Sequence, residues 1–151
     1  MALRFAYRRA RISRPAIALG GRMERPQPIV PVTVLGPTRS THEHAGLDTM
    51  ADDTVFPLSL ATAIGLDLSN APQGLLRGVS GTSHVVYYAQ VVLRMTDGKE
   101  FREWPAIVGF SPAPLRRPLL GFAGCLQFFT TTFHGDHEVV ELAVNRLYSG
   151  S

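Results

Sequence analysis

The amino-acid sequence predicts an all-β fold that is rich in turns, with one or two short helices, and two observations support this prediction. The 151-residue chain contains 14 glycines and 11 prolines, with 45% hydrophobic and 18% charged residues. This composition suits a globular β protein better than a helical bundle or a disordered chain. Runs of alternating, β-branched residues are separated by Gly, Pro and Asp-Gly turns, which is typical of strands and hairpins. The length allows one domain with its own core.

The charge of the chain is unevenly distributed. Residues 1–39 contain eight arginines and a single acid, Glu24, which gives a net charge of +7, whereas the remainder carries −4. A basic segment can contact nucleic acid, a membrane surface or an import receptor. No aromatic residues alternate with the arginines and no nucleic-acid-binding motif is present. We therefore expect the segment to pack against its own domain or a second copy's, and we do not expect nucleic acid as a partner.

Four prolines interrupt the basic segment, at positions 15, 26, 28 and 31, and each disfavours regular structure in the residue before it. The first clear strand covers residues 29–35, where β-branched residues alternate up to a Gly-Pro turn. We therefore predict a basic N-terminal arm over residues 1–28, a folded domain over 29–144 and a C-terminal tail over 145–151.

The later elements are defined by the residues at their ends. Pro57 suits the first position of a helix and Gly65 suits the position after its last residue. Asp97-Gly98 is typical of a tight hairpin, because both residues tolerate the positive φ that such turns require. The predicted elements are a short helix within 57–66 that ends before Gly65, hairpin arms over 75–79 and 85–95, strands over 100–108 and 119–121, a short helix over 122–128, and a last hairpin with arms 130–133 and 138–142.

An acidic turn, Asp48-Thr49-Met50-Ala51-Asp52-Asp53, has the clearest chemical pattern in the chain. An Asp in a turn commonly accepts backbone amides, and acids before a helix favour its N-terminus, so structural roles for these carboxylates stay open. Two carboxylates that share one proton can supply an acid and a base. The turn has no second copy in the chain, because Asp97 lies in a hairpin with different neighbours. A site of this kind would therefore need two chains.

Three blocks of sequence, in this order, resemble the retropepsin family, the single-domain dimeric aspartic proteases of retroviruses and their cellular relatives in bacteria. The block LDTMADDTVFP resembles the catalytic loop, LRGVSGTSHVVYYAQVVL resembles the flap and its returning strand, and LLGFAGCLQFF is similar to the apolar-apolar-Gly segment and the helix that follows it. The resemblance runs from about residue 31 to residue 133. It implies a closed β-barrel or sandwich, and a homodimer with its active site at the interface.

The resemblance also implies a role for individual residues. Asp48 would be the catalytic aspartate, paired with Asp48 of a second chain, and Thr49 would brace the loop across the dimer. Leu119, Leu120 and Gly121 would pack beneath the loop. The implied substrate-binding residues are Met50, Ala51, Asp52 and Asp53 of the loop, and Gly78, Val79, Ser80 and Gly81 at the tip of the flap. No metal and no cofactor would take part.

Two residues depart from the family pattern. Met50 stands where the family has Gly, whose backbone can approach the carboxylates and donate its amide without a side chain in the way. If residue 50 needed a φ that only Gly adopts easily, the strain would be about 1–3 kcal/mol. Phe122 replaces a polar, charged residue that braces the dimer of viral members. The prediction is an aspartic endopeptidase, and the alternative is a catalytically impaired module for peptide binding or dimerisation.

The histidines, the single cysteine and the apolar segments do not indicate a further functional site. His42, His44, His134 and His137 lack the spacing and partners of a metal site, so we interpret them as solvated loop residues. Cys125 is the single cysteine, so no disulfide can form within the chain, and a buried apolar role is expected. No apolar run is long enough to span a bilayer and the N-terminal segment lacks a secretory pattern. We therefore expect a cytoplasmic protein that acts on a peptide or protein substrate.

Overall fold

β-strands dominate the computed structural model, which describes residues 1–77 and 81–151. One short α-helix and two 3-10 turns, Ile17–Leu19 and Leu126–Phe128, complete the regular structure of these residues. The all-β prediction is therefore confirmed. In chain order the elements are β1 (Leu3–Ala6), β2 (Arg8–Ala16), β3 (Arg22–Gln27), β4 (Ile29–Leu35), β5 (Ser40–Leu47), β6 (Val55–Pro57), α1 (Leu58–Ala63), β7 (Gln73–Arg77), β8 (Ser83–Thr96), β9 (Phe101–Ser111), β10 (Leu119–Leu120), β11 (Phe129–His134) and β12 (Val139–Val144).

The main sheet closes on itself. Its strands follow the order β4-β5-β10-β6-β9-β8-β7, and β4 also pairs with β8 through Thr33–Leu35 and Val92–Arg94. Six strands therefore form a ring, and β7 is attached to the outside edge of β8. Closure removes the open edges that a flat sheet of this length would leave for pairing with other chains.

The position of β10 determines where the acidic turn lies. β5 and β6 are neighbours along the chain, yet β10 lies between them, parallel to β5 and antiparallel to β6. Leu119 is paired with Gly46 on one side and with Val55 on the other. The connection from β5 to β6, which contains the acidic turn, must therefore pass over the end of β10.

The core fills the inside of the ring and continues beneath a second, three-stranded sheet of β1, β12 and β11. Val30, Val32 and Val34 alternate along β4 and are all at most 2% exposed, as a strand with one buried face requires. Trp104 packs edge-on against Phe129, and its indole N–H donates to the carbonyl of Gly124 at 2.9 Å. A large side chain is thereby buried without leaving its polar atom unpaired.

Several predicted elements are confirmed at their expected ends. The strand over 29–35 is β4, and the helix that begins after Pro57 is α1, followed by Gly65 at φ +85°. Gly98 has φ +90° in the tight turn between β8 and β9. The last hairpin is formed by β11 and β12. Turn residues and alternation act within a few residues, which is why these elements can be predicted from the sequence.

The prediction of a helix over residues 122–128 is wrong, since only the 3-10 turn Leu126–Phe128 forms there. Gly124 has φ +89°, and a Cβ at this position would lie 2.9 Å from the carbonyl oxygen of Ile107. Cys125 follows with φ −138° and ψ −78°, which is also outside the helical region. The close approach of this segment to β9 therefore overrides its helical pattern.

The predicted basic arm is partly built into the fold. β1 pairs with β12 in a three-stranded sheet, and Leu3 and Phe5 are buried in the core. Residues of β2 and β3 form a separate two-stranded hairpin with a bulge between Arg11 and Ala16. Its prolines do not prevent pairing, because Pro15 lies in the bulged stretch and a two-stranded ribbon has outer edges that need no N–H donor.

Candidate active site

The acidic turn begins where β5 ends, and backbone bonds hold Asp48 in place. The amide of Asp48 donates to the carbonyl of Leu120 at 3.1 Å, which joins the turn to β10. One carboxylate oxygen, Oδ1, accepts the amide of Met50 at 2.9 Å, and the carbonyl of Asp48 accepts the amide of Ala51 at 3.2 Å. The carboxylate is thus oriented by its own turn, and its side chain is neither fully buried nor fully exposed.

The segment after β10 interlocks with the second half of the acidic turn. The amides of Phe122 and Ala123 donate to the carbonyls of Ala51 and Asp52, both at 2.9 Å, and Ala123 accepts the amide of Thr54 at 3.0 Å. These bonds join the first and third recognised blocks along their backbones. Residues 119–123 therefore pack against the turn along its whole second half.

Gly121 lies at the closest approach of the two segments. A Cβ atom here would lie 2.2 Å from the carbonyl oxygen of Asp53 and 2.6 Å from that of Ala51. The amide of Gly121 donates to the hydroxyl of Thr54 at 3.2 Å, and Thr54 is completely buried. Only a residue without a side chain fits this position, so the apolar-apolar-Gly pattern has a physical reason.

Met50 does not strain the turn. Among the described residues, Glu138 is the one non-glycine with positive φ, so Met50 adopts a backbone conformation open to ordinary residues. Its amide still reaches the carboxylate of Asp48, and its side chain is 87% exposed. The strain considered for this position is therefore absent, and the thioether does not crowd Asp48 of its own chain. Thr49 is also exposed.

Asp53 is held by a residue that the sequence analysis did not single out. The hydroxyl of Tyr88, on β8, donates to Oδ2 of Asp53 at 2.7 Å. Burial, together with the hydrogen bond to this carboxylate and its charge, raises the pKa of Tyr88 to about 12. The phenol therefore stays protonated and donates through the whole neutral range. Neither Asp52 nor Asp53 caps α1, whose N-cap is Pro57 and has no side-chain cap bond.

Two glycines make room for the ring of Tyr88. A Cβ at Gly74 of β7 would lie 2.7 Å from the ring, and one at Gly109 of β9 would lie 3.5 Å from it. Asp53, Tyr88 and Ile107 also line an open cleft of about 490 Å³. The strand that returns from the predicted flap is thus tied to the acidic turn. A Tyr on that strand opposite small residues was the available sequence signal for this contact.

Asp48 lines a second, smaller cavity of about 180 Å³, on the side of β5 and β10. Arg117 and Gln27 line the same cavity. The Oε1 atom of Gln27 is buried and has no hydrogen-bond partner among the described residues. A cation and a carboxylate therefore share this surface, where both are reachable from outside the chain.

β7 and β8 form the two arms of the hairpin on which the flap was predicted. β7 and β8 pair antiparallel up to Arg77 and Ser83, which agrees with the predicted hairpin. Gly81 has φ +78° and open space around its Cα. The other three predicted tip residues, Gly78, Val79 and Ser80, lie outside the described residues. Tyr88, in the second half of the second block, joins β8 to the acidic turn through Asp53.

The prediction of loop histidines is wrong for three of them, because His42 and His44 lie on β5 and His134 ends β11, where its Nε2 atom is buried. Nδ1 of His42 is 2.7 Å from the hydroxyl of Thr33, and His134 lies beside Glu141. Within residues 1–77 and 81–151, no three His, Cys, Asp or Glu side chains are grouped so that they could hold a metal ion. Burial raises the pKa of the Cys125 thiol to about 12, so it remains a neutral core residue.

Comparisons with known proteins add no family assignment. No protein-family model matches this chain, and no curated protein matches it. The described part of the chain contains no helix that is long and apolar enough to cross a membrane. The resemblance carried by the three sequence blocks therefore stays a prediction, and the geometry of the acidic turn is the principal support for any function.

Proposed function

We propose that the protein is an aspartic endopeptidase that works as a homodimer, with Asp48 of each chain forming a catalytic pair across a two-fold axis. The observation that carries this proposal is the interlocking of the acidic turn with residues 119–123. That contact fixes the Asp48 carboxylate at the end of a strand, with one oxygen bound by a backbone amide. A fixed, accessible carboxylate is what such chemistry requires from each chain.

The chemistry follows from bringing two identical carboxylates together. Two such groups a few ångströms apart cannot both ionise, so the pair holds one proton and titrates in two macroscopic steps. The ionised carboxylate removes a proton from water, whose oxygen attacks the peptide carbonyl, while the protonated carboxyl donates its proton to the carbonyl oxygen. The resulting gem-diol then collapses: the carboxyl that took the water proton gives it to the amide nitrogen, the C–N bond breaks, and the other carboxylate takes back a hydroxyl proton. The products are a carboxylic acid and an amine, and the pair again holds one proton. A two-fold axis provides the second carboxylate, because an isologous interface repeats each residue.

Exposed apolar residues beside the turn support the dimer. Met50 is 87% exposed and Phe122 is 58% exposed, and the amide of Phe122 is bound to Ala51 in the same turn. Large apolar side chains around a half-site are typical of a surface that a partner covers. In this proposal, apolar contacts replace the polar bracing that Phe122 removes.

The substrate is proposed to be an extended peptide that lies between the acidic turn and the β7–β8 hairpin. Strand-like pairing with the backbone would hold it, and side-chain pockets would set the cleavage preference. Because Tyr88 already binds the Asp53 carboxylate, Asp52, which is exposed, is the better candidate for contact with the substrate backbone. Asp53 instead holds the flap strand in position.

The test is cleavage of a mixed peptide library at mildly acidic pH, followed by mass spectrometry. We expect the wild-type protein to cleave peptides and the Asp48→Asn variant to cleave them at least about a hundredfold more slowly. This factor is the lower end of the rate enhancement that a general acid or base contributes. Asp136→Asn is the matched control, since Asp136 lies in the exposed β11–β12 turn. Equal cleavage by both variants would exclude Asp48 as the catalytic residue.

The second candidate function, an impaired peptide-binding or dimerisation module, is favoured by Met50. In a dimer, the exposed Met50 side chains would lie close to the two-fold axis and could fill the space that substrate needs. The same assay with Met50→Gly distinguishes the two functions. Cleavage that appears in Met50→Gly alone supports the module, whereas similar cleavage by the wild type and Met50→Gly supports the enzyme.

A further inference from the structure

The β2–β3 hairpin stands apart from the rest of the fold in its pairing and its charge. β2 and β3 are paired with each other in a sheet of their own. Between residues 8 and 25 they carry six exposed arginines and one acid, Glu24. The six are Arg8, Arg9, Arg11, Arg14, Arg22 and Arg25. A high density of one charge on a small surface creates a strong local potential for a partner of opposite charge.

Two of these arginines attach the hairpin to the barrel, and four remain for a partner. Arg9 and Arg22 bind the two carboxylate oxygens of Glu138, at 3.2 Å and 3.1 Å. Among the described residues, no carboxylate forms an ion pair with Arg8, Arg11, Arg14 or Arg25. Glu138 thus holds two of the six arginines, and the other four present uncompensated positive charge.

The tip of the hairpin is apolar. Ile17 is 91% exposed, Leu19 is 36% exposed and Met23, at the start of β3, is 46% exposed. Gly20 and Gly21 complete the turn with φ values of +68° and +86°, and a Cβ at either would meet no atom within 4 Å. An isoleucine that is almost fully exposed at a loop tip gains nothing from the fold, since its burial requires a partner.

We propose that the β2–β3 hairpin docks on an anionic lipid bilayer, with Ile17 and Leu19 inserted at the headgroup boundary and the arginines on the lipid phosphates and carboxylates. Interfacial membrane binding generally combines two kinds of contact: apolar side chains insert into the headgroup layer, and basic side chains stay at the surface on anionic lipids. This inference does not depend on the proposed catalytic activity.

The apolar tip favours a bilayer over nucleic acid. A nucleic-acid backbone would satisfy the arginines but would leave Ile17 in water. Residues 8–27 contain no aromatic side chain, so no platform is present on which bases could stack. A bilayer is the partner that offers both an anionic surface and an apolar layer beneath it.

Vesicle binding by the full chain tests the proposal. At about 0.1 M salt, where charges are screened beyond roughly 10 Å, we expect binding to phosphatidylcholine vesicles that contain one third phosphatidylserine. Binding to phosphatidylcholine alone should be at least tenfold weaker. Each arginine near the surface contributes roughly a fivefold increase in binding. Changing Arg8, Arg11, Arg14 and Arg25 together to Gln should therefore lower binding by at least fiftyfold.

The matched control removes the same charge elsewhere. Arg39, Arg77, Arg116 and Arg146 are exposed and lie outside the hairpin, so changing these four to Gln should lower binding less than fivefold. Both variants keep the contacts with Glu138, and far-ultraviolet circular dichroism checks that they fold. Equal losses in the two variants would overturn the proposal, as would equal binding of the wild type to neutral vesicles or no binding at all.

Insertion of the tip has its own spectroscopic test. In an Ile17→Trp variant, we expect the added fluorescence to shift to the blue with phosphatidylserine vesicles and to be quenched by brominated lipids, against a constant background from Trp104, which is 1% exposed. Leu147→Trp, at a site 50% exposed in the C-terminal tail, should show neither change. Absence of a shift for Ile17→Trp, or tighter binding to a single-stranded oligonucleotide than to vesicles, contradicts the proposal.

Discussion

Gly121 is the residue whose position leaves no room for a side chain. A Cβ would lie 2.2 Å from the carbonyl oxygen of Asp53, and this obstacle is backbone, which cannot rotate away. We expect Gly121→Ala to lower the free energy of unfolding by about 2–3 kcal/mol, in the range for overpacking a fitted site. Urea denaturation measures the change. Gly135→Ala, where a Cβ meets no atom within 4 Å, should change it by less than about 0.5 kcal/mol.

Tyr88 gives the acidic turn a dependence on alkaline pH. Its pKa is 10.0 in the unfolded chain and about 12 in the fold, with burial as the main cause and the Asp53 carboxylate as the second. The folded state holds the phenol proton more tightly, so this contribution to stability is complete below pH 10 and is lost as the pH rises through about 12.

The corresponding variant is Tyr88→Phe, with Tyr87→Phe as its control. We expect the free energy of unfolding of the wild type to fall more steeply between pH 10 and pH 12 than that of Tyr88→Phe. At pH 7, the free energy of unfolding of Tyr88→Phe should be about 1–2 kcal/mol lower than that of the wild type, because the charged carboxylate of Asp53 loses the hydrogen bond that Tyr88 donates. Identical pH profiles for the wild type and Tyr88→Phe would contradict the assigned contact.

At the scale of elements, the sequence was sufficient to predict those helices and turns that nearby residues determine. It was insufficient for segments whose structure depends on contacts with distant strands. Pro57 and Gly65 enclose α1, and Asp97-Gly98 turns β8 into β9, because these signals act within a few residues. The segment 122–128 failed as a helix because its backbone is bound to the acidic turn and approaches β9. The Tyr88–Asp53 contact likewise depends on the register of β7, β8 and β9.

Glu138 controls how firmly the β2–β3 hairpin is attached. It has φ 52°, and hydrogen bonds from Arg22, with the charge of Arg9, lower the pKa of its carboxyl group. Because this pKa is lowered, the attachment is complete above the unfolded value of 4.5 and is lost as the pH falls through the folded value. We expect Glu138→Gln to speed amide hydrogen exchange in β2 and β3 at neutral pH.

The control for the faster exchange in Glu138→Gln is Glu43→Gln, which changes an acid on β5 and should leave amide hydrogen exchange in the β2–β3 hairpin unaltered. The global unfolding transition of Glu138→Gln should stay close to that of the wild type, since exposed ion pairs contribute little to overall stability. Local exchange is therefore the decisive measurement, and an unchanged exchange pattern would show that Glu138 does not hold the hairpin.

For the whole molecule, the boundary of the folded domain lies earlier than the charge pattern indicates. Leu3 is fully buried on β1, which pairs with β12. We expect Leu3→Ala to cost about 2–5 kcal/mol, the range for truncating a buried leucine, whereas Met1→Ala, at a residue 94% exposed, should be near neutral. Thermal and urea unfolding measure both. Arg4 between Leu3 and Phe5, and the arginines that follow from residue 8, hid this short alternating strand from sequence analysis.

The acidic turn and residues 119–123, which are far apart in the sequence, are joined by backbone hydrogen bonds. The single Asp48 turn makes the proposed activity depend on assembly, and the exposed Phe122 and Met50 identify the surface where assembly would occur. A charge at either position would oppose burial of that surface, since an unpaired charge in an interface is strongly unfavourable.

Dimerisation and cleavage should therefore be lost together. We expect sedimentation velocity to show a dimer for the wild type and a monomer for Phe122→Asp, and the monomer should cleave at least about a hundredfold more slowly. Leu147→Asp places the same charge on an exposed leucine of the C-terminal tail, and it should remain dimeric and active. A monomeric wild type that still cleaves peptides would exclude a shared Asp48 pair. A dimer that persists in Phe122→Asp would place the interface on another face, and Asp48 would then lack its partner.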